Sequence, residues 1–463
     1  MPLDIINPTA PEQDSRFSKL LAKYGTQPVP RYTSYPTAPH FKAAEDDRTV
    51  TNWLERLDPE KAVSLYLHIP FCKEICWYCG CNMKLATRDE PVARYAETLM
   101  KEIELVAERL PNRLKVEHIH FGGGSPSTLP AASLEKIMAL LNEVFDIEAG
   151  AEIAAEVDPR TLRTDFIEAM QRWGFNRISL GIQEFDPAVQ EQINRVQPVD
   201  LVKRVVDQVR GADIPGLNFD VLYGLPDQTV RGLSRTIDAC MDMAPDRLAL
   251  FGYAHVPWMA KRQRKIREDR LPGLVERAEQ AITAGNQLAG EGYTRIGFDH
   301  FAKPEDSLSV AQSDGSMKRN FQGYTSDQAN TLIGFGTTAI AETPYGYYQN
   351  QSEVTTWARL IDEGHLPTAK TCTITDADRL NRAIIEHLMC LRSVDVVQEA
   401  LAHQQPSCGV LSSLRNLDDL ERDGLVKRKG TLVEVTPMGR FFVRIVASRF
   451  DAYLGGARHS VAV

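Results

Sequence analysis

No apolar run in this 463-residue chain approaches the roughly 20 residues needed to cross a membrane. The opening stretch, MPLDIINPTAPEQD, lacks the basic and apolar regions of an export signal. The chain is therefore expected in the cytoplasm, where thiols stay reduced. Basic residues are in deficit: 53 Lys and Arg face 62 Asp and Glu, a formal net charge of −9. That excludes a general nucleic-acid binder, which needs the opposite sign. An anionic ligand would need a local basic pocket, because the global field repels it. Low-complexity tracts are missing, as are a P-loop and a G-x-G-x-x-G turn. Cysteine is scarce, with eight residues in all.

What is present is ordinary for a soluble protein: 43% hydrophobic and 25% charged residues, on a chain long enough for one large α/β domain plus a smaller one. Residues 1–50, with PVPRYTSYPTAPHF at their centre, read as an ordered but irregular arm. Arg31, Tyr32, Tyr35 and Phe41 make it too aromatic and basic for a solvated tail. Residues 51–350 follow a strand-then-helix rhythm. Strands are expected at 62–69, 116–121, 152–157, 177–182, 217–224 and 247–253, with 293–298 as a possible seventh. Amphipathic stretches such as YAETLMKEIELVAERL lie between them. The alternation predicts a parallel, (β/α)6-type partial barrel covered by helices. Residues 351–463 form a second unit. Helical patterns at 376–392 and 411–423 precede what looks like a two-stranded wing, giving a small helical, winged-helix-like domain without a basic recognition face.

Four of the eight cysteines fall within ten residues, in the segment Phe71-Cys72-Lys-Glu-Ile-Cys76-Trp-Tyr-Cys79-Gly-Cys81 directly after the first strand. A disulfide framework spreads its cysteines more evenly, so clustering in a reduced compartment points to metal. Structural zinc prefers two separated C-x2-4-C knuckles, and no second knuckle is present. Three thiolates, from Cys72, Cys76 and Cys79, on a 4Fe–4S cluster leave one iron free to chelate a small molecule. Phe71, Trp77 and Tyr78 would shield it.

C-x3-C-x2-C after a first strand resembles the radical S-adenosylmethionine superfamily. Around it, RYTSYPTAPHF, HIPFC, CGCN, HFGGGSPS, EVDPR, NRISLGIQ, DVLYGLP, FGYAH and RNFQGYT together resemble the oxygen-independent coproporphyrinogen III oxidase family, from about residue 28 onward. The resemblance implies a 4Fe–4S cluster and S-adenosyl-L-methionine, expected as two molecules. It places Gly123 at the cluster-bound molecule, with Tyr66, Glu156 and Ile340 attending it, and Gly124 and Ser125 at a second. Tyr78, Gln183, Arg195, Asp220 and Ala254 resemble the pocket of that second molecule. The residues agree to this extent: three glycines allow close backbone approach, and polar groups ending successive strands converge at the mouth of a β/α barrel.

The run KRQRKIR (261–267) fits a solvated helix face as well as a clamp for substrate carboxylates, and Arg31 is a comparable clamp candidate. His68, His118, His120, His255 and His300 lack helical partners and read as core or hydrogen-bonded histidines. The resemblance further implies a 5′-deoxyadenosyl radical that removes hydrogen from propionate side chains of coproporphyrinogen III, fed by an external, flavodoxin-type one-electron donor. A monomer is expected, with no nucleic-acid or membrane partner. No side chain is assigned as catalytic. A haem carrier of the same superfamily, an electron-transfer iron–sulfur protein and a zinc-stabilised interaction protein are the alternatives. The first lacks the C-G-C extension and the RYTSYP arm, both present here.

Overall fold

The computed structural model describes residues 11–455 and 460–462. Among the described residues no helix is long and apolar enough to cross a membrane.

The expected strands form where branched and aromatic residues alternate with polar ones: β1 (Val63–Ile69), β2 (Lys115–Gly123), β3 (Asp146–Val157), β4 (Arg177–Gln183), β5 (Gly216–Tyr223) and β6 (Arg247–Gly252). Each pairs in parallel with the next. In β4, Ile178, Leu180 and Ile182 are buried on the outer face, while Arg177, Ser179, Gly181 and Gln183 point the other way. Helices such as Glu90–Ala107 and Thr164–Arg172 cover the outer face. In the first, Val92, Tyr95, Ala96, Leu99, Ile103 and Val106 are buried at helical spacing. Fully buried Leu65, Leu67 and Ile69 of β1 join this core, each contributing about 1.5–3 kcal/mol. The inner face is polar. Side chains from β1 to β6, among them His120, Glu156, Ser179 and Asp220, surround a cavity of about 160 Å³, as a curved, partly closed sheet requires.

Two features depart from the sequence reading. Residues 294–296 do form a strand, but it does not extend the parallel run. It turns through Gly297 (φ 52°) and pairs antiparallel with His300–Ala302, which itself runs antiparallel to β6. The seventh parallel strand, β7 (Leu332–Phe335), lies instead on the opposite side, against β1. Antiparallel strands Ile340–Thr343, Gly346–Asn350 and Thr368–Thr373 extend the sheet there, so it continues past residue 350. The buried Glu102 carboxylate ties this edge to the helical layer. It accepts from Gly336 N (2.7 Å), Asn350 Nδ2 (2.6 Å) and Trp357 Nε1 (3.0 Å).

The arm is not irregular throughout, because Pro11–Tyr24 is a helix; residues 1–10 lie outside the described residues. Its aromatics do what their composition suggested. Tyr24, Tyr32 and Tyr35 enter the core of the C-terminal unit, with Tyr32 Oη donating to Asp451 (3.0 Å). That unit contains the helix Asp376–Cys390, held at its start by a Thr375–Asp378 capping box, and the hairpin Val426–Lys429/Leu432–Val435. A third short strand, Ser393–Asp395, completes its sheet.

Candidate cofactor site

The cysteine loop leaves β1 at the end where the barrel strands terminate. Its first turn is stitched to the glycine turn after β2: Gly124 N donates to Ile69 O (2.8 Å) and Ser125 N to Phe71 O (2.8 Å). None of the four thiols is in a disulfide. Cys76 is buried, Cys72 and Cys79 are partly buried, and Cys81 is exposed. Two guanidinium groups reach Cys76 Sγ, Arg160 Nη2 at 3.4 Å and Arg195 Nη1 at 3.5 Å. Asp158 holds both arginines, at 2.7 Å and 3.2 Å. Hydrogen bonding from Cys81 pulls the Cys79 thiol down to about 6 despite its burial, whereas burial pushes Cys72 up to about 12.

The glycine turn lies against these groups with no room for side chains. A Cβ on Gly124 would stand 2.6 Å from Phe71 O, and one on Gly123 (φ 114°) 2.8 Å from the His68 ring. One on Gly122 would meet Tyr66 and Glu156. Tyr66 and Glu156 are joined through His120: the Tyr66 ring stacks on it at 6.0 Å, and Glu156 Oε1 lies 3.1 Å from its Nε2. Burial pushes Glu156 up, but the His120 contact and the Gly123 amide outweigh it and hold the carboxyl below its ordinary range. Ile340 lies one strand further along the sheet, on the strand that pairs with β7. Gly334, the register partner of Tyr66, separates the two, and a Cβ there would meet Ile340 O at 2.9 Å.

The second expected group converges next to it. Gln183 adopts φ 66° at the end of β4, a strained value for a non-glycine residue. A Cβ on Gly181 would touch both Gln183 and Arg195 at 3.0 Å. Asp220 is the register partner of Gly181 and accepts from Ser179 Oγ (3.2 Å). Burial, with the charge of Glu156, pushes Asp220 up to about 6. Tyr78 and Ala254 are brought together by a residue the motifs did not single out. Buried Gln263 donates to both carbonyls, at 2.6 Å and 3.1 Å. Ser125 is placed differently. Its hydroxyl is buried and already engaged with Ser127 Oγ (2.9 Å) and Asp158 N (3.2 Å).

Gln263 sits inside KRQRKIR, so that run is not simply a solvated face. It forms the 3₁₀ turn Lys261–Lys265 latched over the cysteine loop, with Arg262 Nη2 on Cys81 O (2.9 Å). Asp158 and Arg160 were visible only as part of EVDPR. The signal for Gln263 was an uncharged amide among cations. Four of the five histidines are hydrogen-bonded as expected, His68 to Tyr66, His120 to Glu156, His255 to Tyr253 and His300 to Asp299, while His118 lies 3.9 Å from Asp327. His68 and His120 also border the site.

These residues fit an iron–sulfur cluster and its small-molecule ligand. The loop offers three thiols, with two guanidinium donors at Cys76, beside a turn whose glycines pack directly on Phe71, His68, Tyr66 and Glu156. Arg195 Nε is buried without an acceptor, a vacancy that a ligand carboxylate would fill.

Comparison with known proteins agrees with the geometry. Residues 66–240 match the Radical SAM superfamily model. The chain is 47% identical over 446 residues to the oxygen-independent coproporphyrinogen III oxidase of Bradyrhizobium diazoefficiens, covering 96% of this chain and 99% of that one. It is 37% identical to the Salmonella typhimurium protein of the same name, covering 94% and 95%. The solved structure of coproporphyrinogen III oxidase from Escherichia coli, a radical SAM enzyme, superposes with a TM-score of 0.87 at 34% identity, over 92% of this chain and 100% of that one. Fold and site together define a radical S-adenosylmethionine protein. Within that class, the chain belongs to the oxygen-independent coproporphyrinogen III oxidase family.

Proposed function

We propose that this protein converts two propionate side chains of coproporphyrinogen III to vinyl groups, giving protoporphyrinogen IX without oxygen. The observation that carries the reading is the loop itself: it follows directly on β1, with Cys76 buried, Cys72 and Cys79 partly buried, and Cys81 exposed. Cys72, Cys76 and Cys79 would hold a 4Fe–4S cluster, which together with S-adenosylmethionine would supply a 5′-deoxyadenosyl radical.

The chain's own residues bind, orient and shield. Tyr66, Gly123, Glu156 and Ile340 frame the cluster-bound molecule. Gly124, Tyr78, Gln183, Arg195, Asp220 and Ala254 frame a second, with Ser125 bracing Asp158 behind them. Gln263 sets the spacing of Tyr78 and Ala254. Arg195 pairs with a carboxylate, and Phe71, Trp77 and Tyr78 keep water out. That radical would remove hydrogen from the β-carbon of a propionate, next to the pyrrole that delocalises the unpaired electron. Loss of carbon dioxide and of one electron to an acceptor leaves the vinyl group. No side-chain base is required. The one-electron donor is of flavodoxin type, and the protein works as a cytoplasmic monomer.

The test is an anaerobic assay of the reconstituted protein with reductant, S-adenosylmethionine and coproporphyrinogen III. Protoporphyrinogen IX and 5′-deoxyadenosine should form together. Methionine release without a tetrapyrrole product would overturn the substrate.

A further inference from the structure

A second cavity, of about 240 Å³, lies where the arm, the rim of β5 and β6, and the C-terminal helices meet. It adjoins the cofactor site at Ala254, which lines it. We propose that this cavity is a carboxylate-anchoring pocket, in which Arg31, Arg277 and Arg444 hold propionate arms of the tetrapyrrole that are not reacting. The inference rests on the functional reading above and adds the residues that hold the substrate.

The charge balance points to an anion. Arg444 is 7% exposed, yet every acceptor it uses is neutral: the carbonyls of Val29, Pro30, Val461 and Ala462 and the hydroxyl of Ser460. Arg31, exposed on the arm, donates only to Gly252 O, at 3.4 Å. Arg277 packs over the Tyr223 ring at 6.0 Å, and its Nε is buried with no acceptor. Among the described residues none of the three is in an ion pair. The acid of the cavity, Asp299, is already bonded to His300 at 2.6 Å. Burial, reinforced by Arg31, pulls Arg444 down to about 9 and lowers Arg277 as well. Gathering three guanidinium groups around a single carboxylate that is already committed to His300 is costly. A carboxylate would relieve that cost, and guanidinium groups bind carboxylates in bidentate geometry.

The remaining wall is aromatic, from Tyr223, Phe251, Trp258, Phe298 and Phe441, which suits the edge of a pyrrole ring. The volume is below the roughly 300–1,000 Å³ of pockets that enclose a drug-sized ligand. It therefore admits acidic arms and one ring edge, leaving the reacting propionate outside, toward Ala254.

Coproporphyrin III, the oxidised and unreactive form, is the probe. It is titrated into anaerobic holoenzyme and followed by fluorescence. Arg31→Gln and Arg277→Gln should each weaken binding about tenfold, or roughly 1.4 kcal/mol, and raise KM for coproporphyrinogen III more than they lower kcat. The tetramethyl ester, without carboxylates, should bind weakly and equally to all forms. Iron content and the electron paramagnetic resonance signal of the cluster verify folding. Arg31→Gln, at an exposed position, remains informative if Arg277→Gln does not fold. Unchanged binding in the variants, with wild-type turnover intact, would overturn the pocket and leave the function standing. Wild-type protein that neither binds nor converts the tetrapyrrole would overturn the function and the pocket with it.

Discussion

Arg160 Nη2 lies 3.4 Å from Cys76 Sγ, while the same guanidinium is gripped by Asp158 and by Glu74 (2.6 Å). The hydrogen bond to sulfur is thus fixed by two carboxylates rather than by chance. Such bonds stabilise the reduced state of a cluster. Arg160→Gln should lower the midpoint potential, read by potentiometric titration with paramagnetic resonance in the absence of S-adenosylmethionine. An unchanged potential would make Arg160 a purely structural residue.

The cysteines should separate by position. Cys76→Ala is expected to lose most bound iron and all 5′-deoxyadenosine formation. Cys81→Ala, altered at an exposed thiol, should keep its iron and its brown colour and still cleave S-adenosylmethionine. Iron analysis and product chromatography distinguish them. Iron loss in Cys81→Ala would mean a fourth protein ligand.

Gly124→Ala places a methyl group within 2.6 Å of Phe71 O and 2.8 Å of Phe71 N, and main chain cannot swing aside as a side chain can. The turn must move away from Cys72. We expect about 1–3 kcal/mol of destabilisation in urea unfolding, together with weaker S-adenosylmethionine binding by equilibrium dialysis. A fully stable variant would show that the turn yields.

Asp220 should make stability pH-dependent. Its carboxyl is raised to about 6 by burial and by Glu156, against His300, Ser179 and His120, whereas an unfolded aspartate titrates near 3.9. The stabilisation from this proton is complete below the unfolded value and is lost as pH rises through about 6. Asp220→Asn, which never ionises, should therefore melt higher than wild type at pH 7.5, with the gap closing toward pH 4. Thermal melting of the cofactor-free protein across that range measures it.

The parallel strands and the cysteine loop were legible in the chain because both are local patterns: alternation along β4, and spacing from Cys72 to Cys79. The place of β7 was not, since LIGF carries no sign of which edge it joins, and pairing with β1 depends on the whole sheet. Gln263 was hidden for a similar reason. Its chemistry exists only once residues 78 and 254 are brought beside it, and linear distance conceals that. The arm was half legible, its aromatics announcing burial but not the C-terminal core that receives them.

By itself, then, the amino-acid order determined the strand–helix rhythm, the C-x3-C-x2-C spacing and the glycine turn, all set by short-range geometry. Tertiary structure alone decided that Asp158 aims two arginines at Cys76, and that Arg31, Arg277 and Arg444, more than 400 residues apart at the extremes, share one cavity. Electrostatics acts through space, and only folding sets those distances.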